Sequence, residues 1–504
     1  MNIRAIREED IEQVIGLFRL NYGDDYPLPE FYDRDWVRRG IYSDNIIWMV
    51  IEDEGHIVAS GAAILDFGDY NDQIAEIGRL VVNPNVGGKG LGRQMIDALV
   101  DASDDRVEFA FGEARTTHPK TQRIFDRAGL VPVGFLPMNY RIAWRESWVL
   151  SGQLFGNGRR LRRVGESQVI PEVLPIAKLA MKNLELDEPI AVIADARPYP
   201  MDEHFTIEPL TGASLVRLLK IEHGRITNPE VFSGLHVDQG FSTIQARKAN
   251  YLVANDGGQT VGAVGYKFDE TDRNVRITEL IARDDTVKGV LLRRAVEEAE
   301  DKYEAELIEA DVSAYSPRIQ HTLFDLGFMP AAYVPGMVFH ETARWDVIRM
   351  IKLNVAWDLK TVVFSESGQE MFDTVSPLFI QANARRSRKL LAIGASVLAD
   401  LTPLEIEFVQ RVSDELSPAP GTSINADSLY IVLAGDVALN GHTLSHGDCF
   451  GTAAMLGQSS EGMAIAGEGA RLMKVTSEDL NTLSEKHPRL GLKLYRNLAG
   501  QARG

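Results

Sequence analysis

The sequence Leu80-Val81-Val82-Asn83-Pro84-Asn85-Val86-Gly87-Gly88-Lys89-Gly90-Leu91-Gly92-Arg93 places an apolar run, a proline and a cluster of glycines directly before an amphipathic segment. In that segment Leu91, Met95 and Leu99 recur at the spacing of one helical face, so the pattern predicts a strand, a glycine loop and a helix. Backbone N–H groups of such a loop can turn inward at the positive end of the helix, where an anion such as pyrophosphate is favoured. The sequence therefore predicts an anion cradle.

A glycine-rich turn before a helix is common in α/β proteins, so the turn alone leaves ligand binding open. Two alternatives do not fit the residues. No Gly-Lys-Ser/Thr closes the loop, as a Walker phosphate loop requires, and the chain lacks the N-terminal βαβ start of a dinucleotide-binding Rossmann domain.

The order Leu-x-Val-x-Pro, two residues and then Gly-Gly-x-Gly-x-Gly resembles the central motif of the acetyl-CoA-dependent N-acyltransferases of the GNAT family. The resemblance implies acetyl-CoA or another acyl-CoA as a substrate, with its pantetheine along the strand residues Leu80, Val81 and Val82. It implies that the pyrophosphate lies in the loop formed by Gly87, Gly88, Lys89, Gly90, Leu91, Gly92 and Arg93. The family usually carries Arg or Gln where this chain has Gly87, so we expect weaker or altered CoA binding.

Composition narrows the functional classes. With 504 residues, 45% of them apolar, the chain has room for several cores, and 53 basic against 72 acidic residues give a net charge of −19. This balance argues against a nucleic-acid or anionic-membrane partner and suits either solubility or a cationic substrate such as an amine. One cysteine, Cys449, excludes internal disulfides. No signal pattern, membrane-spanning run or metal-ligand constellation stands out, so a metal-free cytoplasmic protein is expected.

Self-similarity predicts a second copy of the first fold. The pattern His-Pro-x-x-Gln at 118–122 recurs as Ser-Pro-x-x-Gln at 316–320, a shift of 198 positions that the following glycine and prolines keep. The second copy reads Arg283-Asp284-Asp285-Thr286-Val287-Lys288-Gly289 where the first has its glycines. Branched side chains would stand where phosphate oxygens lie, and the two aspartates would repel a pyrophosphate. We therefore expect the fold to persist without a cofactor site, as a partner face or as one wall of the substrate cleft.

The C-terminal region has short apolar segments broken by turns, which predicts a β-roll with flanking helices. Residues 428–437 and 444–451 resemble the cyclic-nucleotide-binding domain family. In that family a glutamate follows Phe-Gly and an arginine neutralises the cyclic phosphate, whereas this chain has Thr452 and, in the nearest alignment, Glu461. Because a charge-assisted Arg–phosphate pair is the main anchor for such a ligand, we expect no cyclic-nucleotide binding and a regulatory or oligomeric role.

The predicted fold class is α/β (α+β), with two tandem GNAT-like mixed-sheet domains and a β-roll. The predicted domains are 1–143, the CoA-binding acyltransferase; 144–203, a helical and basic linker whose arginines at 159, 160, 162 and 163 form a solvated face; 204–342, the degenerate second copy; 343–397, a helical connector; and 398–504, the roll.

Three side chains are candidates for the chemistry. Glu76, four residues before Leu80, occupies the place where many family members carry a general base. The tyrosine that active members often present as the acid is Phe125 here and Leu323 in the second copy, so Tyr140, His118 or water would have to supply the proton.

The resulting functional hypothesis is an N-acyltransferase that moves an acyl group from acyl-CoA to an amine, either a small molecule or a protein lysine. Its last domain is expected to be either regulatory or the site of homo-oligomerisation. The alternative is a non-catalytic scaffold that senses CoA or binds a partner.

Overall fold

A computed structural model of the chain describes residues 1–504 except 25, 27, 68–72, 87–88, 142–144, 188, 202–203, 233–249, 356–361, 392–394, 400, 402–404, 407–408, 411, 459–461, 487 and 502–504. The chain forms two compact units. The first is built from Met1–Ala299, Leu307–Leu353 and Trp357–Phe379, and the second mainly from Ile380–Gly504. The fold class is mixed α/β, as predicted.

The first unit opens with a set of strands that pair in the order β1-β2-β3-β4-β5-β7-β6. Neighbours are antiparallel except β4 and β5, which are parallel. The elements in chain order are β1 (Asn2–Ala5), α1 (Ile11–Tyr22), α2 (Arg34–Ile41), β2 (Ile46–Asp53), β3 (His56–Phe67), β4 (Ile74–Val82), α3 (Leu91–Ser103), β5 (Phe109–Arg115), α4 (Lys120–Ala128), β6 (Val131–Arg141) and β7 (Arg145–Leu154). The predicted strand before the glycine loop and helix after it are confirmed as β4 and α3.

A connecting segment follows, with α5 (Gly156–Arg160), β8 (Ser167–Val169), α6 (Leu174–Asn183) and β9 (Ile190–Val192). Its basic cluster was expected to be a solvated face, and for two arginines this is wrong. Arg162 is 7% exposed and its Nη2 lies 2.6 Å from Asp346 Oδ2. The Arg163 guanidinium lies 4.2 Å from the ring centroid of Tyr315 and 4.3 Å from that of Trp345. These arginines fix the connecting segment to the strands that come later in the chain.

The remaining strands of the unit pair in the order β10-β12-β13-β14-β15-β17-β16, which repeats the order of the first set. The elements are β10 (Thr206–Pro209), α7 (Gly212–Leu218), β11 (Val231–Phe232), β12 (Asn250–Asp256), β13 (Gln259–Asp269), β14 (Asn274–Ala282), α8 (Lys288–Asp301), β15 (Leu307–Ser313), α9 (Pro317–Asp325), β16 (Met329–His340), β17 (Ala343–Leu353) and α10 (Glu366–Leu391). Strands β14 and β15 are parallel, like β4 and β5. The extra strand, β11, pairs with β15.

One residue pair joins the two sets of strands into a single sheet. Gly134 of β6 is the register partner of Ala332 of β16. A Cβ atom added at Gly134 would collide with Ala332, so the absence of a side chain permits this close approach.

The predicted boundaries at 143 and 343 are wrong, because both cut a hairpin. Residues 145–154 and 343–353 were assigned to helical connections, and they form β7 and β17. In β17 Trp345, Ile348 and Ile351 recur every three residues, which imitates a helical face. The charged residues between them are buried in ion pairs, so the alternation typical of a strand is hidden. The predicted helix within 371–391 is confirmed by α10.

The second unit contains two four-stranded sheets, in the orders β18-β25-β20-β23 and β19-β24-β21-β22. Its elements are β18 (Asp414–Leu416), β19 (Ser423–Asn425), β20 (Leu429–Ala434), β21 (Val437–Leu439), β22 (His442–Leu444), β23 (Cys449–Phe450), α11 (Thr452–Met455), β24 (Met463–Ala466), β25 (Arg471–Val475), α12 (Ser477–Lys486) and α13 (Pro488–Gln501). The predicted short strands and closing helices are confirmed, and the predicted helix at 403–412 lies largely outside the described residues. In the parts of the chain that the structure describes, no helix is long and apolar enough to span a bilayer.

Candidate active site

Strands β4 and β5 separate partway along their length. Their parallel pairing covers only Ile74–Glu76 of β4 and Phe109–Phe111 of β5, although β4 continues to Val82. Beyond Glu76, no described strand pairs with the β5-facing edge of β4. The backbone of this part of the strand is therefore free of strand partners on one side, although the carbonyl oxygen of Val82 accepts a 3.3 Å hydrogen bond from Asn21 Nδ2, and it can hydrogen-bond an extended ligand.

A bulge lies in the same part of β4. The register with β3 pairs Ser60 with Val81 and Ala62 with Gly78, so β4 has an extra residue between these pairs. Arg79 has a φ of +52°, in the left-handed region that side chains rarely adopt. Such strain persists only where the surroundings impose it, and it often marks a functional backbone position.

Gly90, at the end of the loop before α3, has a left-handed backbone conformation. Gly90 has a φ of +68° and directly precedes Leu91, the first residue of α3. At Gly92 an added Cβ would lie 3.1 Å from Ile124 Cδ1 and 3.4 Å from Leu80 Cδ2, so a side chain there would press on the neighbouring helix and strand. The predicted residues Gly87 and Gly88 lie outside the described residues.

The two basic side chains of the loop are exposed. Lys89 Nζ lies 3.5 Å from Asp53 Oδ2, and Arg93 Nε lies 3.3 Å from Asp97 Oδ2. Surface ion pairs of this kind contribute at most about 1 kcal/mol, so both cations can turn toward a bound anion at little cost. Of the predicted strand residues, Val81 is buried, and Leu80 and Val82 are half-buried.

The face of β4 and β5 that packs on α3 and α4 is apolar. Ala75, Ile77 and Ala110 belong to a buried cluster that includes Leu91 and Met95 of α3. Side chains alternate between the two faces of a strand, so Glu76 and Glu113 project from the opposite face. Glu76 pairs in register with Phe111, two residues before Glu113, and this places the two carboxylates on neighbouring strands where those strands separate.

Glu76, the predicted base, is engaged by a cation. Its Oε2 accepts a hydrogen bond of 2.6 Å from Arg79 Nη2, three residues along the strand. Burial raises the pKa of Glu76, and the positive charge of Arg79 opposes that rise. The carboxylate is therefore close to the bulge but already has a partner.

Glu113 was missed in the sequence analysis. Burial raises the pKa of its carboxyl to about 7; the negative charge of Glu76 adds to the rise and the positive charge of Arg349 opposes it. A carboxyl with this pKa changes protonation near neutral pH, as a general base or acid must. The available signal was an acidic residue inside an apolar strand, two residues beyond the last position of β5 that pairs with β4.

Aromatic side chains lie around these carboxyls. Burial raises the pKa of Tyr140, and the charge of Glu113 raises it further. The Tyr140 ring lies 5.7 Å from that of Trp148, measured between centroids. Burial also raises the pKa of Tyr26 to about 12. A phenol with a raised pKa keeps its proton at neutral pH, so Tyr140 can donate a hydrogen bond but is a weaker acid than an ordinary tyrosine.

The other candidate acids differ in exposure. His118 is exposed, two residues before α4. Phe125 is 1% exposed, and its Cζ lies 2.6 Å from the position a Cβ would take at Gly112. The position where active members present a tyrosine is thus filled by an apolar ring inside the core.

The corresponding gap between β14 and β15 is occupied by the chain itself. Their parallel pairing ends at Ile277 and Ala310, and β11 then pairs with β15 through Val231–Val312 and Phe232–Asp311. The backbone N–H of Ser313 also donates to the carbonyl oxygen of Glu230, at 3.0 Å. A backbone segment therefore lies along β15, the counterpart of β5, in a gap whose equivalent between β4 and β5 no described strand enters.

The start of α8 is likewise covered. A Cβ added at Gly289 would collide with the carbonyl oxygen of Pro200, because the connecting segment crosses this point. Lys288 Nζ lies 2.7 Å from Glu230 Oε2 and 2.8 Å from Asp285 Oδ1. The Tyr199 hydroxyl donates a 2.5 Å hydrogen bond to Glu230 Oε1. Carboxylates thus already satisfy the cation at this helix start.

In the second unit Thr452, which replaces the family's glutamate, is 6% exposed at the start of α11. Glu461 lies outside the described residues. Among the described residues, no group of three or more His, Cys, Asp or Glu side chains is placed to hold a metal ion.

Comparison with solved structures finds several acetyltransferases. The match to a ribosomal-protein-alanine N-acetyltransferase from Brucella melitensis covers 31% of this chain and 100% of that protein, with 15% sequence identity and a TM-score of 0.28. The match to a spermidine N-acetyltransferase from Vibrio cholerae covers 31% of this chain and 94% of that protein, with 18% sequence identity and a TM-score of 0.27. A GNAT-family acetyltransferase from Streptococcus pneumoniae covers 31% of this chain and 99% of its own, with 16% identity and a TM-score of 0.28.

No curated protein matches the chain. Among protein families, the acetyltransferase (GNAT) family matches residues 11–129, which run from the first residue of α1 to the glycine that ends α4. This range contains the separated strands β4 and β5, the Gly90 loop and α3. Residues 11–129 are therefore a GNAT acetyltransferase domain.

Proposed function

We propose that the first set of strands transfers an acyl group from acyl-CoA to an amine. The observation that carries the proposal is the unpaired edge of β4 beyond Glu76, which ends at a glycine loop and α3 inside the range matched by the acetyltransferase family. The edge supplies backbone donors for an extended arm, and the helix start supplies donors for a diphosphate. A thioester held along this edge lies near Glu76 and Glu113.

The reaction needs a neutral amine. A carboxylate at the end of the gap accepts a proton from the acceptor ammonium, and the amine nitrogen then attacks the thioester carbon. Backbone N–H groups at the Arg79 bulge are the candidate donors to the developing oxyanion. The C–N bond forms, the C–S bond breaks, and the departing thiolate takes a proton from water or from Tyr140. The raised pKa of Tyr140 favours water.

The second set of strands is proposed to be a GNAT-like domain that binds no acyl-CoA. Its strand order repeats that of the first set, which supports a tandem arrangement. The segment at Glu230–Phe232 and the carbonyl of Pro200 fill the places that the ligand would need. Its contribution is a wall beside the first site, since Arg349 faces Glu113.

The second unit is proposed to be a cyclic-nucleotide-binding-like roll that regulates the chain or lets it self-associate. The substitution of Thr452 for the family's glutamate supports a roll without the ordinary ligand. Cyclic AMP and cyclic GMP at micromolar concentration should give no binding heat in calorimetry. A saturable heat for either nucleotide would contradict this reading.

A non-catalytic CoA sensor is the second candidate function. The observation that favours it is Phe125, whose buried ring stands where active members carry a hydroxyl. A sensor and an enzyme would both be stabilised by acetyl-CoA. They differ in whether free thiol is released when an amine is added.

The test begins with binding and continues with turnover. Acetyl-CoA and CoA should raise the melting temperature of the wild type, and Gly90→Val should abolish the increase because valine strains a residue with a φ of +68°. Thiol release is then followed with polyamines, amino-acid amides and lysine peptides. Release that depends on one acceptor class establishes transfer; stabilisation without release on any acceptor establishes the sensor.

A further inference from the structure

Glu113 and Arg349 are brought together by the curvature of the sheet. In the strand order they are separated by β7, β6 and β16, so a flat sheet would hold them on the order of 19 Å apart. In the structure Arg349 Nη1 lies 3.8 Å from Glu113 Oε1. The faces of the two sets of strands that carry these charges therefore approach each other, and the second set contributes a cation beside the first set's carboxyls.

The charges around Glu113 do not balance. Three arginines each have a close carboxylate partner: Arg79 Nη2 is 2.6 Å from Glu76, Arg276 Nη2 is 2.7 Å from Glu309, and Arg349 Nε is 2.8 Å from Asp311. The fourth carboxyl of this cluster is Glu113. Among the described residues, no side chain lies within hydrogen-bond distance of it.

A largely buried carboxylate whose charge its neighbours do not balance favours the binding of a proton or a cation, because burial of an unbalanced charge is costly. The ammonium group of an acceptor would supply the missing charge and, in the same place, the proton to be removed. Glu76 lacks this property, since Arg79 already neutralises it.

We propose that Glu113 is the catalytic base that takes the ammonium proton, and that Arg349 from the second set of strands is the positioning residue that orients its carboxyl. The inference rests on the proposed acyl transfer and names the residues that carry its first step. The proton passes from the acceptor nitrogen to Glu113 Oε1 or Oε2 and from there to water, while the nitrogen lone pair forms the C–N bond. The acceptor is then an amine that enters as a cation.

Substitutions of the groups that face Glu113 should shift the pKa of its carboxyl in opposite directions, depending on the charge that is removed. These groups are Glu76 on β4, Arg349 on β17, Glu309 on β15, Arg276 on β14 and the Tyr140 phenol on β6. Loss of a neighbouring anion favours the ionised carboxylate, so Glu76→Gln lowers the pKa of Glu113. Loss of the neighbouring cation disfavours it, so removing Arg349 raises that pKa.

The experiment measures kcat/KM for thiol release between pH 5.5 and 9 with two acceptor amines of different pKa. An inflection near pH 7 that is the same for both acceptors belongs to the enzyme. Glu113→Gln should remove this inflection and lower the rate about 100-fold. Glu76→Gln should move the inflection down, and Arg349→Met should move it up, each by half a unit or more.

Arg349→Met leaves Asp311 buried without its partner, so the double variant Arg349→Met with Asp311→Asn is the fold-preserving version. It should also move the inflection up, but by less, because loss of the Asp311 anion offsets part of the loss of the cation. Lys182→Met, which breaks an exposed ion pair with Glu370, is the control and should leave the profile unchanged. A Glu113→Gln enzyme with the wild-type rate and profile would overturn the assignment and leave acyl transfer intact. A wild type that binds acetyl-CoA and acylates no amine would overturn the proposed function itself.

Discussion

The gap between β4 and β5 and the gap between β14 and β15 are flanked by strands in the same order, but different groups lie in them. Between β4 and β5 the edge beyond Glu76 is unpaired in the described residues, whereas beside β15 the chain inserts β11. The start of α3 follows glycines, and the start of α8 holds a lysine between two carboxylates. In the second gap the chain's own backbone and an acidic side chain thus occupy the region that no described strand enters in the first.

The largest effect is expected from breaking the internal filling of the second gap. Lys288→Met leaves the Glu230 carboxylate without its cation, whereas Asp285 keeps Arg318, and loss of one partner of a buried pair costs about 3–5 kcal/mol. Urea unfolding measures this loss. Arg294→Met removes an exposed pair with Glu297 and should cost less than 1 kcal/mol. Equal effects of the two variants would mean that the lysine is not a structural substitute for a ligand.

Making the first gap resemble the second should remove the ligand. Gly90→Val places a branched side chain at the start of α3, at a residue with a φ of +68°. Acetyl-CoA affinity should fall 10- to 100-fold, about 1.4–2.7 kcal/mol, by isothermal calorimetry. Gly16→Val, at an exposed helix position with nothing within 4 Å of an added Cβ, is the matched control. An unchanged affinity in Gly90→Val would place the diphosphate elsewhere.

Glu113 and Asp311 occupy corresponding positions and should have opposite effects on the pH dependence of stability. Burial raises the pKa of Glu113 to about 7, above its unfolded value, so the folded state binds the extra proton and stability falls as pH rises toward 7. Glu113→Gln should remove this decline, a relative gain on the order of 2 kcal/mol at pH 8 against pH 5.

For Asp311, burial favours the neutral acid, but the charge and hydrogen bonds of Arg349 outweigh it and lower the pKa. Its contribution is present above the unfolded pKa and is lost as pH falls through the folded value. Asp311→Asn should therefore destabilise the protein at neutral pH and lose that effect in acid. Unfolding curves at pH 4, 5 and 8 test both variants, and slopes of the same sign would contradict the comparison.

The smallest change is expected in the number of acetyl-CoA molecules bound per chain. Acetyl-CoA should bind with one site per chain by calorimetry, and Glu230→Gln, which keeps the second gap filled by β11, should leave that number at one. A second site in either protein would show that the internal segment yields to ligand.

Periodicity and motif spacing were enough to predict β4, α3 and the short strands of the second unit. They failed where burial hides the pattern: β7 and β17 carry charged residues that other strands neutralise, so neither shows a clean polar face. Glu76 could be predicted from its distance to Leu80. Glu113 could not, because its importance comes from Glu76 on the next strand and from Arg349, 236 positions later in the chain. Long-range neutralisation leaves no local signal in a sequence.

The internal strand β11 also bears on how the protein survives when CoA is scarce. A ligand that binds only the native state increases the free energy of unfolding as the ligand concentration rises. A strand of the chain itself, such as β11, stabilises its neighbours at any ligand concentration. Under the proposed function, a fall in acyl-CoA concentration should therefore destabilise the first set of strands before the second, and proteolysis would begin in the first set.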